Sequence, residues 1–210
     1  MYKLYYSPGA CSLVAHALLV ASAQSFEAVS IDLKKGENRR AEFLQINPRG
    51  QVPVLIEDGK IRRESAVIAL HLAEQFASPL LPKDSEQRRT MEEWLAFYNS
   101  TLHQAYSSYF MLSARLQGDA KEAALAVVVK RINMLWKEVE EHLATHRYLC
   151  GDAMTLPDIF HATIAHWSVI LAHTIELGPN TRRLCEEVAK WPPFVQALEE
   201  EGIIYGLAVA

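Results

Sequence analysis

The sequence is poor in features that anchor whole classes of protein, and each shortage removes a class. Three cysteines, Cys11, Cys150 and Cys185, are odd in number and far apart, with no C-x-x-C pair. That pattern argues against both a disulfide framework and a zinc knuckle. Cations are in the minority: 21 Lys and Arg stand against 25 Asp and Glu, for a net charge of -4. With no basic field, neither nucleic acid nor an anionic membrane is an expected partner. No run of about 18 apolar residues occurs, and the opening MYKLYYSPGAC lacks a basic segment followed by an apolar core. The expected location is cytoplasmic. His142-Leu-Ala-Thr-His146 puts two imidazoles one helical turn apart, but no glutamate follows the first and no third ligand is evident, so no metal is expected.

What is present is a core. Half of the residues are hydrophobic, ample for one large or two small domains in 210 residues. Residues 2–6 read as a short aromatic strand that stops at Ser7-Pro8-Gly9, and a helical pattern follows over residues 12–22. A strand over 26–33, a short helix over 38–45, a strand entered at Pro53, a turn at Asp58-Gly59, a strand over 60–62 and a helix over 65–76 complete a βαβαββα order. Prolines and polar residues then cluster, and only helical periodicity follows: long helices over 86–115 and 120–145, then shorter ones over 181–190 and 193–201. Thr155-Leu-Pro-Asp158 reads as a capping box opening another helix. The expected fold class is α/β plus all-α. Residues 1–77 form a first domain, 78–86 a linker and 87–210 a helical domain.

Two places carry candidate chemistry. Cys11 follows a Pro-Gly turn at the start of the first helix, where unpaired N–H groups and the helix dipole favour a thiolate. Such placement lowers a thiol pKa from about 8.5 by one to several units. The alternative is a small buried filler, which is the reading given to Cys150 and Cys185. Pro53 has no N–H for a sheet ladder, so it marks the entrance to a strand. An X–Pro bond is the common site of a cis peptide, although an ordinary Pro/Gly loop is the other reading.

Tyr5-Tyr6-Ser7-Pro8-Gly9-Ala10-Cys11-Ser12, Ile46-Asn-Pro-Arg-Gly-Gln-Val-Pro-Val-Leu55, Arg63-Glu64-Ser65 and Gly151-Asp-Ala-Met-Thr-Leu-Pro-Asp158 together resemble the cytosolic glutathione S-transferases, specifically the bacterial beta class. The resemblance covers nearly the whole chain. It implies a thioredoxin-like first domain with a cis Pro53, and Val52 pairing with the cysteinyl backbone of glutathione. It also implies Glu64 facing the γ-glutamyl ammonium, Ser65 and the helix start holding the γ-glutamyl carboxylate, and Gln51 and Lys35 completing the glutathione site. Cys11 is implied as the catalytic residue, able to form a mixed disulfide, with Tyr6 and Ser12 in reserve.

In the same resemblance the stretch around His103-Gln104 lines an electrophile pocket, where the family usually has His-Lys and where Thr101 stands in place of a glutamate. His103 is a catalytic candidate there. Tyr106, Tyr109, Phe110 and Trp167 are candidates for its aromatic wall, although core packing is the commoner use of such rings. The implied co-substrate is glutathione, with a small electrophile as partner in detoxification, and the implied assembly is a homodimer. A glutathione-dependent isomerase or dehalogenase, or a non-catalytic transferase-like regulatory module, are the alternatives.

Overall fold

The computed structural model describes residues 1–207, and they divide into two compact units: Met1–Leu81 with Ala189–Tyr205, and Pro82–Val188 with Gly206 and Leu207. The first unit follows the expected βαβαββα order. Strand β1 (Tyr2–Tyr6), helix α1 (Ser12–Ala21), strand β2 (Phe26–Ser30), helix α2 (Ala41–Ile46), strands β3 (Val54–Glu57) and β4 (Lys60–Arg63) and helix α3 (Ser65–Gln75) succeed one another. The sheet order is β2-β1-β3-β4, with β1 parallel to β2 and antiparallel to β3. The β3–β4 hairpin closes through Asp58 and Gly59, both at positive φ, the geometry a two-residue turn demands. Strand β2 is shorter than expected. It ends at Ser30, because Asp32 leaves the sheet and its carboxylate turns back to accept the N–H groups of Lys34 and Lys35.

Helix α1 is buried from Ser12 to Leu19 on every side, as an all-round apolar helix must be. Part of its cover comes from far along the chain. Helix α9 (Pro192–Glu200) buries Phe194, Ala197 and Leu198, and residues 189–205, expected in the helical domain, instead belong to the first unit. The physical reason is burial: α1 is enclosed on every side, and the apolar face of α9 supplies part of that cover.

The second unit contains α4 (Ser85–Ala96), α5 (His103–Arg115), α6 (Gly118–Leu143), α7 (Leu156–Ile170) and α8 (Pro179–Val188). Asp84 caps α4, accepting the N–H groups of Glu86 and Gln87 at 3.0 and 2.9 Å. The single helix expected over 86–115 is interrupted. Residues Phe97–Leu102 widen into a π-helical turn, where carbonyls lose their usual partners. Asn99 and Ser100 in this turn also donate from their side chains, to Leu95 O at 2.8 Å and Ala96 O at 2.7 Å. Periodicity alone sees only a continuous helix. The box opening α7 is present as expected: Asp158 is fully buried and accepts Thr155 N at 2.7 Å, Thr155 Oγ1 at 2.9 Å and Leu149 N at 2.9 Å. Among the described residues no helix is long and apolar enough to cross a membrane.

Candidate active site

Three stretches distant in sequence meet at Cys11. The residue is the N-cap of α1, and its thiol donates to the Val52 carbonyl at 3.7 Å. Ser65, the first residue of α3, donates from Oγ to the Cys11 carbonyl at 3.2 Å. The Val52–Pro53 peptide is cis, Pro53 is buried, and the paired part of β3 starts at Val54. Gln51 is exposed, and its carbonyl accepts Asn47 Nδ2 at 2.8 Å.

Burial opposes the thiolate expected at this helix start. Cys11 is only 5% exposed, and burial pushes its thiol up to about 11. The Ser65 hydroxyl and the N–H groups at the helix start pull downward, whereas the nearby Glu64 charge pushes the same way as burial. Desolvation of a buried anion outweighs a helix terminus, which is worth at most about 2 kcal/mol. At neutral pH the unliganded site holds a thiol.

The two reserve candidates are committed elsewhere. Ser12 is fully buried, and its Oγ both accepts Ser7 N at 3.1 Å and donates to Ser7 O at 3.2 Å, closing the turn. Tyr6 is buried at the end of β1 with its ring 5.2 Å from that of His16; burial and the Glu201 charge both raise its pKa. Lys35 is exposed and pairs with Asp32 at 3.2 Å.

Glu64 and its surroundings hold a feature that motif reading missed. Glu64 has φ 71° and ψ 119°, a left-handed backbone that a side-chain-bearing residue adopts only under constraint. Its carboxylate accepts from the Arg49 guanidinium, and both side chains are exposed. Arg49 is presented by a pinned turn. Buried Asn47 accepts Arg49 N at 3.3 Å, Gly50 N donates to Asn47 O at 2.8 Å, and Asn38 Nδ2 donates to Gly50 O at 2.8 Å. Gly50 itself has φ 64°, and a Cβ there would meet Asn38 O at 2.8 Å. Only glycine fits.

The loop that delivers Cys11 is braced by residues almost the whole chain away. Gly9 N donates to Glu201 Oε2 at 2.8 Å; His16 Nδ1 meets Glu201 Oε1 at 2.9 Å and His16 Nε2 meets Glu200 Oε2 at 2.8 Å. Neither His16 nor the Glu201 side chain is more than 1% exposed. Burial works against the imidazolium, but the two glutamates outweigh it and raise the His16 pKa. Lone residues 185 positions apart carry no sequence signal.

In the second unit the expected aromatic wall is contiguous but mostly buried: Tyr106 lies 5.6 Å from Trp167 and Tyr109 6.1 Å from Phe110, and of these rings only Phe110 is exposed. His103, Phe110 and Trp167 cluster, with His103 and Phe110 rings 4.9 and 6.1 Å from Trp167. Burial lowers the His103 imidazole to about 4, so it is neutral at physiological pH. Tyr106 and Tyr109 are corrected to core residues. Tyr106 is fully buried, its hydroxyl bonded to Ser168 and to Trp136 Nε1, and Tyr109 bonds His173 Nδ1 at 2.8 Å. Both rings pack in the core with their hydroxyls bonded to neighbouring side chains. Gln104 is exposed. His142 and His146 stack in parallel at 4.2 Å, and no group of three or more His, Cys, Asp or Glu side chains suited to a metal ion occurs among the described residues.

Comparison with known proteins agrees with this architecture. Residues 1–74 match the glutathione S-transferase N-terminal domain, and residues 98–192 match the glutathione S-transferase C-terminal domain. Glutathione S-transferase GstA of Escherichia coli O157:H7 is 30% identical over 96% of this chain and 99% of its own. The solved glutathione S-transferase from Xylella fastidiosa superposes with a TM-score of 0.88 at 26% identity, covering 97% of this chain and 100% of its own. A sphingomonad glutathione S-transferase solved with glutathione gives 0.82 at 30% identity, covering 96% and 100%. The chain belongs to the glutathione S-transferase family.

Proposed function

We propose that this chain is a beta-class glutathione transferase that binds glutathione in its first unit, conjugates it to small electrophiles and exchanges thiols through Cys11. One observation carries the reading: Cys11, Val52 and Ser65 converge within hydrogen-bonding distance, as a site for a cysteine-containing tripeptide requires. The Val52 backbone, next to β3, pairs with the backbone of the ligand, which brings the ligand sulfur to Cys11. Ser65 and the first N–H groups of α3 hold the γ-glutamyl carboxylate, and Glu64 takes the ammonium. Gln51 and Lys35 contact the remaining peptide. The relatives support the ligand, since the sphingomonad enzyme was solved as a complex with glutathione.

Because Cys11 is itself protonated at rest, it does not serve as a standing nucleophile. Bound glutathione supplies the reacting sulfur for conjugation, held in place by the backbone contacts and the start of α1. Cys11 enters thiol exchange after losing its proton to solvent, attacking a glutathione disulfide so that one sulfur–sulfur bond forms and the other breaks, with glutathione leaving as a thiolate that takes a proton back from solvent. His103, Phe110 and Trp167 are the proposed contacts for an apolar electrophile, the neutral imidazole adding a hydrogen-bonding edge. A cytoplasmic homodimer acting in detoxification is part of the proposal.

Two assays test it. Conjugation of glutathione to a chloronitrobenzene and reduction of a glutathione mixed disulfide are both expected for the wild type, and Cys11→Ala is expected to lose the second far more than the first. Absence of both activities, with no retention on immobilised glutathione, would favour a non-catalytic module. Turnover only with a halogenated or isomerisable substrate would favour a dehalogenase or isomerase.

A further inference from the structure

The Arg49–Glu64 ion pair occupies the carboxylate that the glutathione reading gives to the ligand ammonium, and the inference here rests on that reading. Both ends are fixed while both side chains remain free to exchange partners. Arg49 stands on the Asn47–Gly50 turn held by Asn47 and Asn38, and Glu64 stands on a constrained left-handed backbone at the start of α3. We infer that Arg49 is a specificity-determining residue that guards Glu64 in the empty site and transfers to the γ-glutamyl carboxylate when the ligand arrives.

The chemistry is an exchange of ion pairs. In the empty site one pair exists, Arg49 with Glu64. A γ-glutamyl end carries an ammonium and a carboxylate on the same carbon, so its ammonium takes Glu64 while its carboxylate takes the released guanidinium beside the Ser65 helix start. One pair becomes two. A ligand with only the amine, or only the carboxylate, breaks one pair to make one and gains nothing. Guanidinium suits this role because its fork of N–H groups donates to the carboxylate of either partner with the same geometry. Both groups are exposed, which lets the exchange occur without opening the fold, and which also limits its strength.

The test is a cycle of ligand and protein changes read by calorimetry. The probes are S-methylglutathione, its analogue lacking the γ-glutamyl α-carboxylate (4-aminobutanoyl in place of γ-glutamyl) and its analogue lacking the amine (glutaryl in place of γ-glutamyl). Arg49→Gln is expected to bind S-methylglutathione within about twofold of wild type, because the variant has no pair to break and gains the ammonium–Glu64 pair, the same net count of one. In that variant, deleting the ligand carboxylate is expected to weaken binding by about two- to fivefold less than it does in the wild type, whereas the penalty for deleting the amine persists. Arg49→Lys is expected to restore part of the carboxylate penalty, which a merely structural residue would not do. If the wild type binds S-methylglutathione but the carboxylate penalty is unchanged in Arg49→Gln, the guard role is refuted and the glutathione reading stands. If the wild type binds none of the three, both fall together.

Discussion

Replacing Glu201 with alanine is expected to be among the costliest single changes in the first unit. Its carboxylate is fully enclosed and holds both the Gly9 N–H at 2.8 Å and the His16 ring at 2.9 Å. Truncation removes an acceptor of the Gly9 N–H and the enclosed partner of a buried imidazole; breaking such a buried pair costs about 3–5 kcal/mol. For a chain of this size that corresponds to a fall in Tm of roughly 10 °C. Glu200→Gln is the control, since its side chain is 41% exposed, and it is expected to cost less than about 1 kcal/mol. The His16 pKa is raised in the fold by Glu201 and Glu200 against burial, so the stabilisation is present below the ordinary histidine pKa and is lost as pH rises through the folded one. Differential scanning calorimetry is therefore expected to show a wild-type advantage over Glu201→Gln that is larger near pH 6 than near pH 8.5. A Glu201→Ala protein melting within about 1 °C of wild type, or an advantage that grows with pH, would refute the reasoning.

Further outcomes follow from the same geometry. With the Cys11 thiol pushed up to about 11, its alkylation by iodoacetamide, followed on the Cys11 peptide by mass spectrometry, is expected to rise about tenfold per pH unit from 7 to 10; a plateau below pH 8 would contradict the burial argument. Asp158 is raised to about 6 by complete burial, opposed by its hydrogen bonds to Leu149 and Thr155. A raised carboxyl makes stability fall as pH climbs from its unfolded to its folded value, here by up to about 3 kcal/mol between pH 4 and 6, and urea melts of Asp158→Asn should lack that slope. Gly50→Ala should lower glutathione affinity without unfolding the chain, because a Cβ meeting Asn38 O displaces the turn that carries Arg49; unchanged affinity by calorimetry would show that the turn is irrelevant to the site.

Legibility divided along physical lines. The βαβαββα order, the Asp58-Gly59 turn, the Pro53 entrance and the Thr155–Asp158 box were readable because each rests on local chemistry: period, turn residues and caps. The motif residues Cys11, Val52 and Ser65 were placed together by resemblance to a family, and they do meet. What stayed hidden depended on distance or on competition between effects. Residues 189–205 join the first unit through burial against α1, a tertiary fact without a local signature. The Glu201–His16–Gly9 brace and the Arg49–Glu64 pair were invisible for the same reason. At Cys11 the helix start favours a thiolate and burial favours a thiol, and their balance is not written in the local sequence. For Tyr106 and Tyr109 the sequence leaves wall and core both open, because an aromatic stripe on α5 does not say which rings face the core; their hydroxyl partners do.

Calorimetric titration of glutathione into the wild-type chain and into Ser65→Ala tests the central claim most directly. Heat of binding saturating at one glutathione per chain, with affinity reduced in Ser65→Ala, is the predicted result. No heat with the wild type, or an affinity indifferent to Ser65, would contradict a tripeptide site built where Cys11, Val52 and Ser65 meet.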